Sequence, residues 1–136
     1  MRLAVVGSRG FDNHNILYAT IDQLREVYDI DTIVSGGAKG ADRLAECYAK
    51  DYNLKMNIIL PVWRVNGKID RGAGYKRNFE IWDNSDLGVA FWDGKSKGTA
   101  HSFKISEKQK KLLYVFNYDE MNFYLHSKLK SQLKVN

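Results

Sequence analysis

Three short stretches carry the residue types that could handle an anionic ligand. Gly7-Ser8-Arg9-Gly10 follows one apolar run, and Ser35-Gly36-Gly37-Ala38-Lys39-Gly40-Ala41-Asp42 follows another. The third is Trp92-Asp93-Gly94 with Lys97-Gly98-Thr99 close behind. Glycine lets the main chain approach a ligand or adopt positive φ, and a helix starting just afterwards offers free N–H donors with partial positive charge. Arg9, Lys39 and, from a fourth place, Arg77 would add charge-assisted hydrogen bonds. Each favourable charge at a helix end contributes roughly 0.3–1 kcal/mol, so several converging on one phosphate would matter. These stretches suggest a phosphate cradle; tight turns alone would use the same glycines.

Other chemistries are poorly supplied. Gly7-Ser8-Arg9-Gly10 is not G-x-G-x-x-G, and no G-x-x-x-x-G-K-[ST] occurs, which argues against a standard NAD enzyme or P-loop NTPase. Ser8 and Ser35 lack the Gly-x-Ser-x-Gly elbow of a serine hydrolase. Cys47 has no evident resolving Cys or activating His and reads as packing. His14 and His126 lie far apart and give no zinc spacing, so neither a metal nor a cofactor is expected. His101, two residues past Thr99, could touch a ligand or sit exposed near the helix start.

The elements that must position these turns alternate apolar runs with helical stretches. Leu3 to Val6, Thr32 to Val34, Met56 to Leu60, Leu87 to Phe91 and Leu112 to Phe116 read as strands. Between them Leu17, Ile21, Leu24 and Tyr28 form one helical stripe, with Asp12 or Asn13 as its cap, and Ala41 to Tyr52 forms a second. Tyr75, Phe79 and Trp82, read as core, mark a third helix after a glycine-containing loop from Asn66 to Gly74. A fourth runs from Gly98 to about Lys110. Alternation of this kind predicts a three-layer α/β sandwich, Rossmann-like, with a mainly parallel five-stranded sheet. Ligands of such sheets bind beyond the carboxyl ends of the strands, where the three turns fall. Met121, Leu125, Leu129 and Leu133, at four-residue spacing, predict an added C-terminal helix packed on the sheet or on a second subunit. The expected organisation is one domain over residues 1–117 with a helical extension over 118–136.

At 136 residues the chain is long enough for a core that needs no disulfide, and its single cysteine allows no internal one. No apolar run approaches a membrane span, and Met1-Arg2 leads straight into the first strand, so a cytoplasmic protein without membrane contact is expected. The net charge of +5 is uneven: residues 1–94 are almost neutral, whereas 95–136 hold nine lysines against Glu107, Asp119 and Glu120. That excess reads as a solubilising face or as a footprint for phosphates or nucleic acid. Lysine without interleaved exposed aromatics speaks only weakly for nucleic acid.

Taken together, Val6-Gly7-Ser8-Arg9 and Ser35-Gly36-Gly37-Ala38-Lys39-Gly40-Ala41-Asp42-Arg43-Leu44-Ala45 resemble the SLOG superfamily, which includes the DNA-processing protein A family and the Lonely guy phosphoribohydrolases. Pro61, Trp63, Gly67, Ala73-Gly74-Tyr75-Lys76-Arg77-Asn78, Asp86, Ala90-Phe91 and Gly98-Thr99, in that order, resemble its YspA-like branch, common in bacteria and phages. The resemblance covers about residues 2–116. It implies a Rossmann-like sheet binding nucleotides or nucleotide-derived ligands at the strand ends. Gly7, Ser8, Arg9, Gly36, Gly37, Gly98 and Thr99 would face the phosphate, and Arg77 and Asn78 would close the site. Trp63 would stack on a base or be a buried anchor; Asp42 would touch a ribose or stabilise a helix start. Family habit and the amphipathic tail also suggest a homodimer.

The phosphoribohydrolases carry Pro-Gly-Gly-x-Gly-Thr-x-x-Glu, whose glutamate assists cleavage of the N-glycosidic bond. Here Ser102 holds that position, and Asp93, Asp42 and Asp12 are the remaining carboxylates for sugar chemistry. The expectation is therefore a protein that senses or sequesters a nucleotide-derived ligand. A nucleotide hydrolase acting on an N-glycosidic or phosphate bond is the alternative, and a single-strand nucleic-acid binder stands behind both.

Overall fold

The computed structural model describes residues 1–126. Its elements in chain order are β1 (Arg2–Gly7), α1 (His14–Val27), β2 (Thr32–Ser35), α2 (Ala41–Asp51), β3 (Lys55–Ile58), β4 (Arg64–Val65), β5 (Lys68–Ile69), α3 (Ala73–Asp83), β6 (Leu87–Trp92), α4 (Lys97–Gln109), β7 (Leu112–Asn117) and β8 (Asn122–His126). Six strands form one sheet in the order β3-β2-β1-β6-β7-β8, parallel except for the β7–β8 pair.

Side chains alternate across the pleat, and both faces of the central strands are covered. Leu3 and Val5 of β1 join Leu17, Ile21, Ala45 and Tyr48 of α1 and α2 on one face. Ala4 and Val6 join Ile81, Trp82 and Ile105 of α3 and α4 on the other. The three-layer α/β sandwich is as the sequence predicts. Asn13 caps α1, its Oδ1 accepting the Ile16 N–H at 3.1 Å. Gly88 of β6 faces the fully buried Trp82: a Cβ there would lie 2.4 Å from the indole, so glycine lets α3 seat against the strand.

Four features depart from the sequence reading. The chain reverses after β7, where Asn117 Oδ1 accepts the N–H groups of Asp119 and Glu120 at 3.0 Å each and Met121 takes φ +54. Residues 122–126 therefore form a sixth strand, pairing Phe116 with Phe123 and Tyr114 with Leu125, where a helix through Met121 and Leu125 was expected. The period of two in Phe123 and Leu125 prevails there, whereas Leu129 and Leu133 lie outside the described residues. The loop before α3 contains a small hairpin, β4 with β5, across Asn66-Gly67, both at positive φ as a two-residue hairpin turn requires. Tyr75 and Phe79 are exposed and only Trp82 of that trio is core, because α3 turns just one edge inward. Cys47 is likewise exposed on α2, outside the packing it was expected to join.

Candidate functional site

The sheet order reverses between β1 and β6: from β1 the chain moves outward through β2 and β3, then returns to place β6 on the other side. Loops leaving two such strands diverge above and below the sheet and leave a crevice at their carboxyl ends. A cavity of about 570 Å³ lies there, at the ends of β1 and β6. Gly7 closes its floor. A Cβ on Gly7 would come within 2.6 Å of Ala41 Cβ and 2.7 Å of Phe91 O, so the strand end, α2 and β6 meet only because that residue has no side chain. Gly40, at φ +79, lets the loop before α2 cross within 2.5 Å of Ser8 O, measured from its ideal Cβ position.

The first turns of three helices reach this cavity: Asp42 of α2, with Ala38 from the loop before it, Gly74 and Tyr75 of α3, and Lys97, Gly98 and Thr99 of α4. Four cations line it (Arg9, Arg71, Arg77 and Lys97) against two carboxylates, Asp42 and Asp93. Helix-start dipoles and surplus cations both attract an anion.

Arg77 is half-buried. Its Nη1 donates to Gly36 O at 2.7 Å, and its Nε donates to Asn78 Oδ1 at 3.3 Å. Burial lowers its pKa, the Asp42 carboxylate acts in the opposite sense, and the Arg9 charge lowers it again. Two guanidinium groups thus line one cavity, and the buried Asp42 carboxylate acts on Arg77. Asp42 is itself buried and accepts the Ala38 N–H at 3.1 Å. Desolvation raises its pKa, while the Ala38 N–H and the Arg77 charge partly offset the rise.

Asp93 is tied into the loop that starts α4. Its Oδ1 accepts the N–H groups of Lys95 and Ser96 at 2.8 and 2.7 Å, and its Oδ2 accepts the Ser96 hydroxyl at 2.9 Å. Burial alone would raise its pKa; these donors outweigh burial and hold it below the usual carboxylate value. Ser96 Oγ also lies 3.0 Å from Ser8 Oγ, and the Asp93 N–H donates to Ser8 Oγ at 3.3 Å. This network locks the β1 turn to the start of α4. A carboxylate so engaged is suited to shaping the loop and poorly suited to donating a proton.

Of the residues singled out in the sequence, Gly7, Ser8, Arg9, Asp42, Trp63, Arg77, Asn78, Asp93, Gly98 and Thr99 come together around the cavity. Trp63 lines it while remaining 49% exposed, so it is not a buried anchor. Asn78 Nδ2 lies 3.5 Å from Gly98 O and 3.3 Å from His101 Nδ1, joining α3 to α4. Burial, then the Lys104 charge, lowers the His101 pKa, in keeping with a neutral ring that accepts from Asn78. Ser35 and Gly36 are buried beneath the site, Gly36 acting through the Arg77 hydrogen bond. Gly37 opens instead onto a groove with Arg43, Cys47, Ile58 and Leu60, whereas Lys39 and Asp12 are exposed outside the cavity lining. Arg71, Tyr75, Ser96 and Tyr118 line the cavity without having been singled out as site residues. The Asp93-x-x-Ser96 spacing was a legible turn signal, and Arg71 stands just before the Gly72-Ala73-Gly74 helix start.

No helix among the described residues is long and apolar enough to cross a membrane. A profile of the YspA, cpYpsA-related SLOG family matches residues 1–64. The Gene 61 protein of Mycobacterium phage D29 is 32% identical over 127 residues, covering 88% of this chain and 97% of that protein. Among solved structures, DNA processing protein A from Helicobacter pylori, described as having a unique single-stranded DNA binding mode, superposes with a TM-score of 0.66 at 22% identity. That match covers 85% of this chain, which spans 64% of the other.

Proposed function

The chain belongs to the YspA, cpYpsA-related SLOG family, and from that premise we propose that it binds the phosphate of a nucleotide or nucleotide-derived ligand in the cavity between β1 and β6. The carrying observation is that Arg9, Arg71, Arg77 and Lys97 and three helix starts share one cavity at the point where strand order reverses. In this reading the amides of Gly98 and Thr99 donate to phosphate oxygens, while Ser8, tied to Ser96 and Asp93, holds the β1 turn in place beside them. Arg9 and Lys97 supply charge from the exposed side, and Arg77 supplies it from the half-buried side. Trp63 offers its face to the base. The fold shared with a single-stranded-DNA-binding protein supports nucleic acid as a partner more strongly than the sequence did.

Binding without turnover is the better reading of the same residues. Ser102, buried in α4, replaces the carboxylate that the hydrolase mechanism needs, and Asp93 spends its acceptor capacity on the loop. The experiment is calorimetric titration with a nucleoside, its monophosphate and its diphosphate. Affinity is expected to rise with phosphate and to fall at least tenfold in Arg9→Ala/Lys97→Ala, about 1.4 kcal/mol or more. Equal affinity for nucleoside and nucleotide, or an unchanged double variant, overturns the assignment. Chromatography of the recovered ligand tests turnover: intact nucleotide supports a binder, and released base or phosphate supports the hydrolase.

A further inference from the structure

On α4, Lys97, Lys104 and Lys108 recur at spacings of seven and four, with His101 between them, which places all four on one face of the helix. Thr99, Ser102, Ile105 and Ser106 occupy the opposite, buried face. The lysine row is solvent-exposed and begins in the cavity, since Lys97 is one of its lining residues. Next to it on α3 stand two aromatic side chains one helical turn apart, Tyr75 at 48% and Phe79 at 42% exposure. Both rings meet His101 edge-on, at centroid distances of 4.6 and 5.3 Å, so they are fixed against α4 while their outer surfaces stay open. Exposed aromatics interleaved with cations are the feature whose absence made the lysine excess uninformative in sequence.

The geometry points to the α3–α4 face as a track for single-stranded nucleic acid that continues outward from the cavity. This inference rests on the cavity reading for its starting point at Lys97. Backbone phosphates lie along Lys97, Lys104 and Lys108, and bases stack on Tyr75 and Phe79, a combination that binds single strands with little sequence preference. The end lysines stand eleven positions apart on the helix, about 17 Å, which accommodates the low end of single-strand site sizes, roughly four nucleotides. Of the nearby carboxylates, Glu80 is exposed on α3, Asp83 accepts from Gln109 of α4 at 2.9 Å, and Glu107 is paired with His126 at 2.9 Å. Duplex is disfavoured, because its bases are already stacked and cannot lie on the two rings.

The test is fluorescence anisotropy with labelled oligothymidylate and oligouridylate of about ten nucleotides. Wild type is compared with Lys104→Glu/Lys108→Glu, and a nucleoside diphosphate is titrated into both proteins by calorimetry. The substitutions lie on an exposed helix face away from the cavity, and circular dichroism verifies the fold. Oligonucleotide affinity is expected to fall at least tenfold and the slope of log K against log salt to become shallower by about 1.4, the value for two lost phosphate contacts. Nucleotide affinity is expected to stay within twofold. Tyr75→Ala/Phe79→Ala is expected to weaken the oligonucleotide without changing the slope. Whichever polymer binds tighter identifies the natural strand. Unchanged oligonucleotide affinity in the glutamate variant, or no wild-type binding at low salt, overturns the track. If Arg9→Ala alone abolishes oligonucleotide binding, the track fails while the cavity reading stands.

Discussion

A methyl group placed on Gly36 should weaken ligand binding without touching a ligand. Gly36 carries no positive φ, so alanine fits its backbone. An added Cβ would lie 2.5 Å from Arg77 Nη1, 2.8 Å from Cζ and 3.1 Å from Nε. Ordinary contact distance is near 3.5 Å, so the guanidinium must retreat by about 1 Å. Such a movement breaks the 2.7 Å bond from Nη1 to Gly36 O. A hydrogen bond to a charged group contributes about 1.5–3 kcal/mol, and resolvation of the half-buried side chain returns part of it, leaving a stability loss of about 1–2 kcal/mol. For a domain of this size that lowers Tm by roughly 3–8 °C. Loss of one charge-assisted contact in the cavity should reduce phosphate affinity about 10- to 100-fold. The assay is paired calorimetry on Gly36→Ala and Arg77→Met, which should behave alike. Wild-type affinity in Gly36→Ala together with abolished binding in Arg77→Met would refute the reasoning, because Arg77 would then reach the ligand from another position.

Other perturbations separate structural from chemical roles. Asp93→Asn keeps one acceptor for the Lys95 and Ser96 amides and should bind nucleotide within about threefold of wild type, whereas Asp93→Ala loses the turn at a cost of about 1–2 kcal/mol; equal loss in both would give the charge a direct role. A carboxyl held below its unfolded pKa contributes stability that is present above the unfolded value and lost as pH falls through the folded one, so acid melts of Asp93→Asn should show a smaller decline than wild type. Gly88→Ala should lower stability by about 1–3 kcal/mol through its collision with Trp82, read in a urea melt; an unchanged midpoint would show that the α3–β6 seam can yield. Trp63→Ala should cost about 1–3 kcal/mol of nucleotide affinity and spare inorganic phosphate; equal losses for both ligands would remove base stacking.

The central strands were legible because they are buried on both faces and read as unbroken apolar runs. The three glycine-rich turns were legible because each follows such a run. Over 122–126 the apolar spacing fits both a helical and a strand period, and Asn117 and Met121 decide for the strand by reversing the chain, a local event that spacing does not encode. The spacing of Tyr75 and Phe79 alone predicts core, but which edge of a helix turns inward depends on where α4 lies against it. Arg71 and Tyr118 reach the cavity from segments far apart in sequence, so only the folded chain unites them. Asp93 was legible as a carboxylate near the site but not as the acceptor of its own loop, which depends on Ser96 folding back.

A phosphate site between β1 and β6 is tested by where a nucleotide perturbs the main chain. In an amide ¹H–¹⁵N titration of the full chain with a nucleoside diphosphate, the largest changes are predicted at Ser8, Lys97, Gly98 and Thr99, with weaker ones at Ala38 and Tyr75 around the same cavity. Changes confined to the groove of Arg43, Cys47 and Lys50, or none at saturating nucleotide, would contradict a phosphate site between β1 and β6.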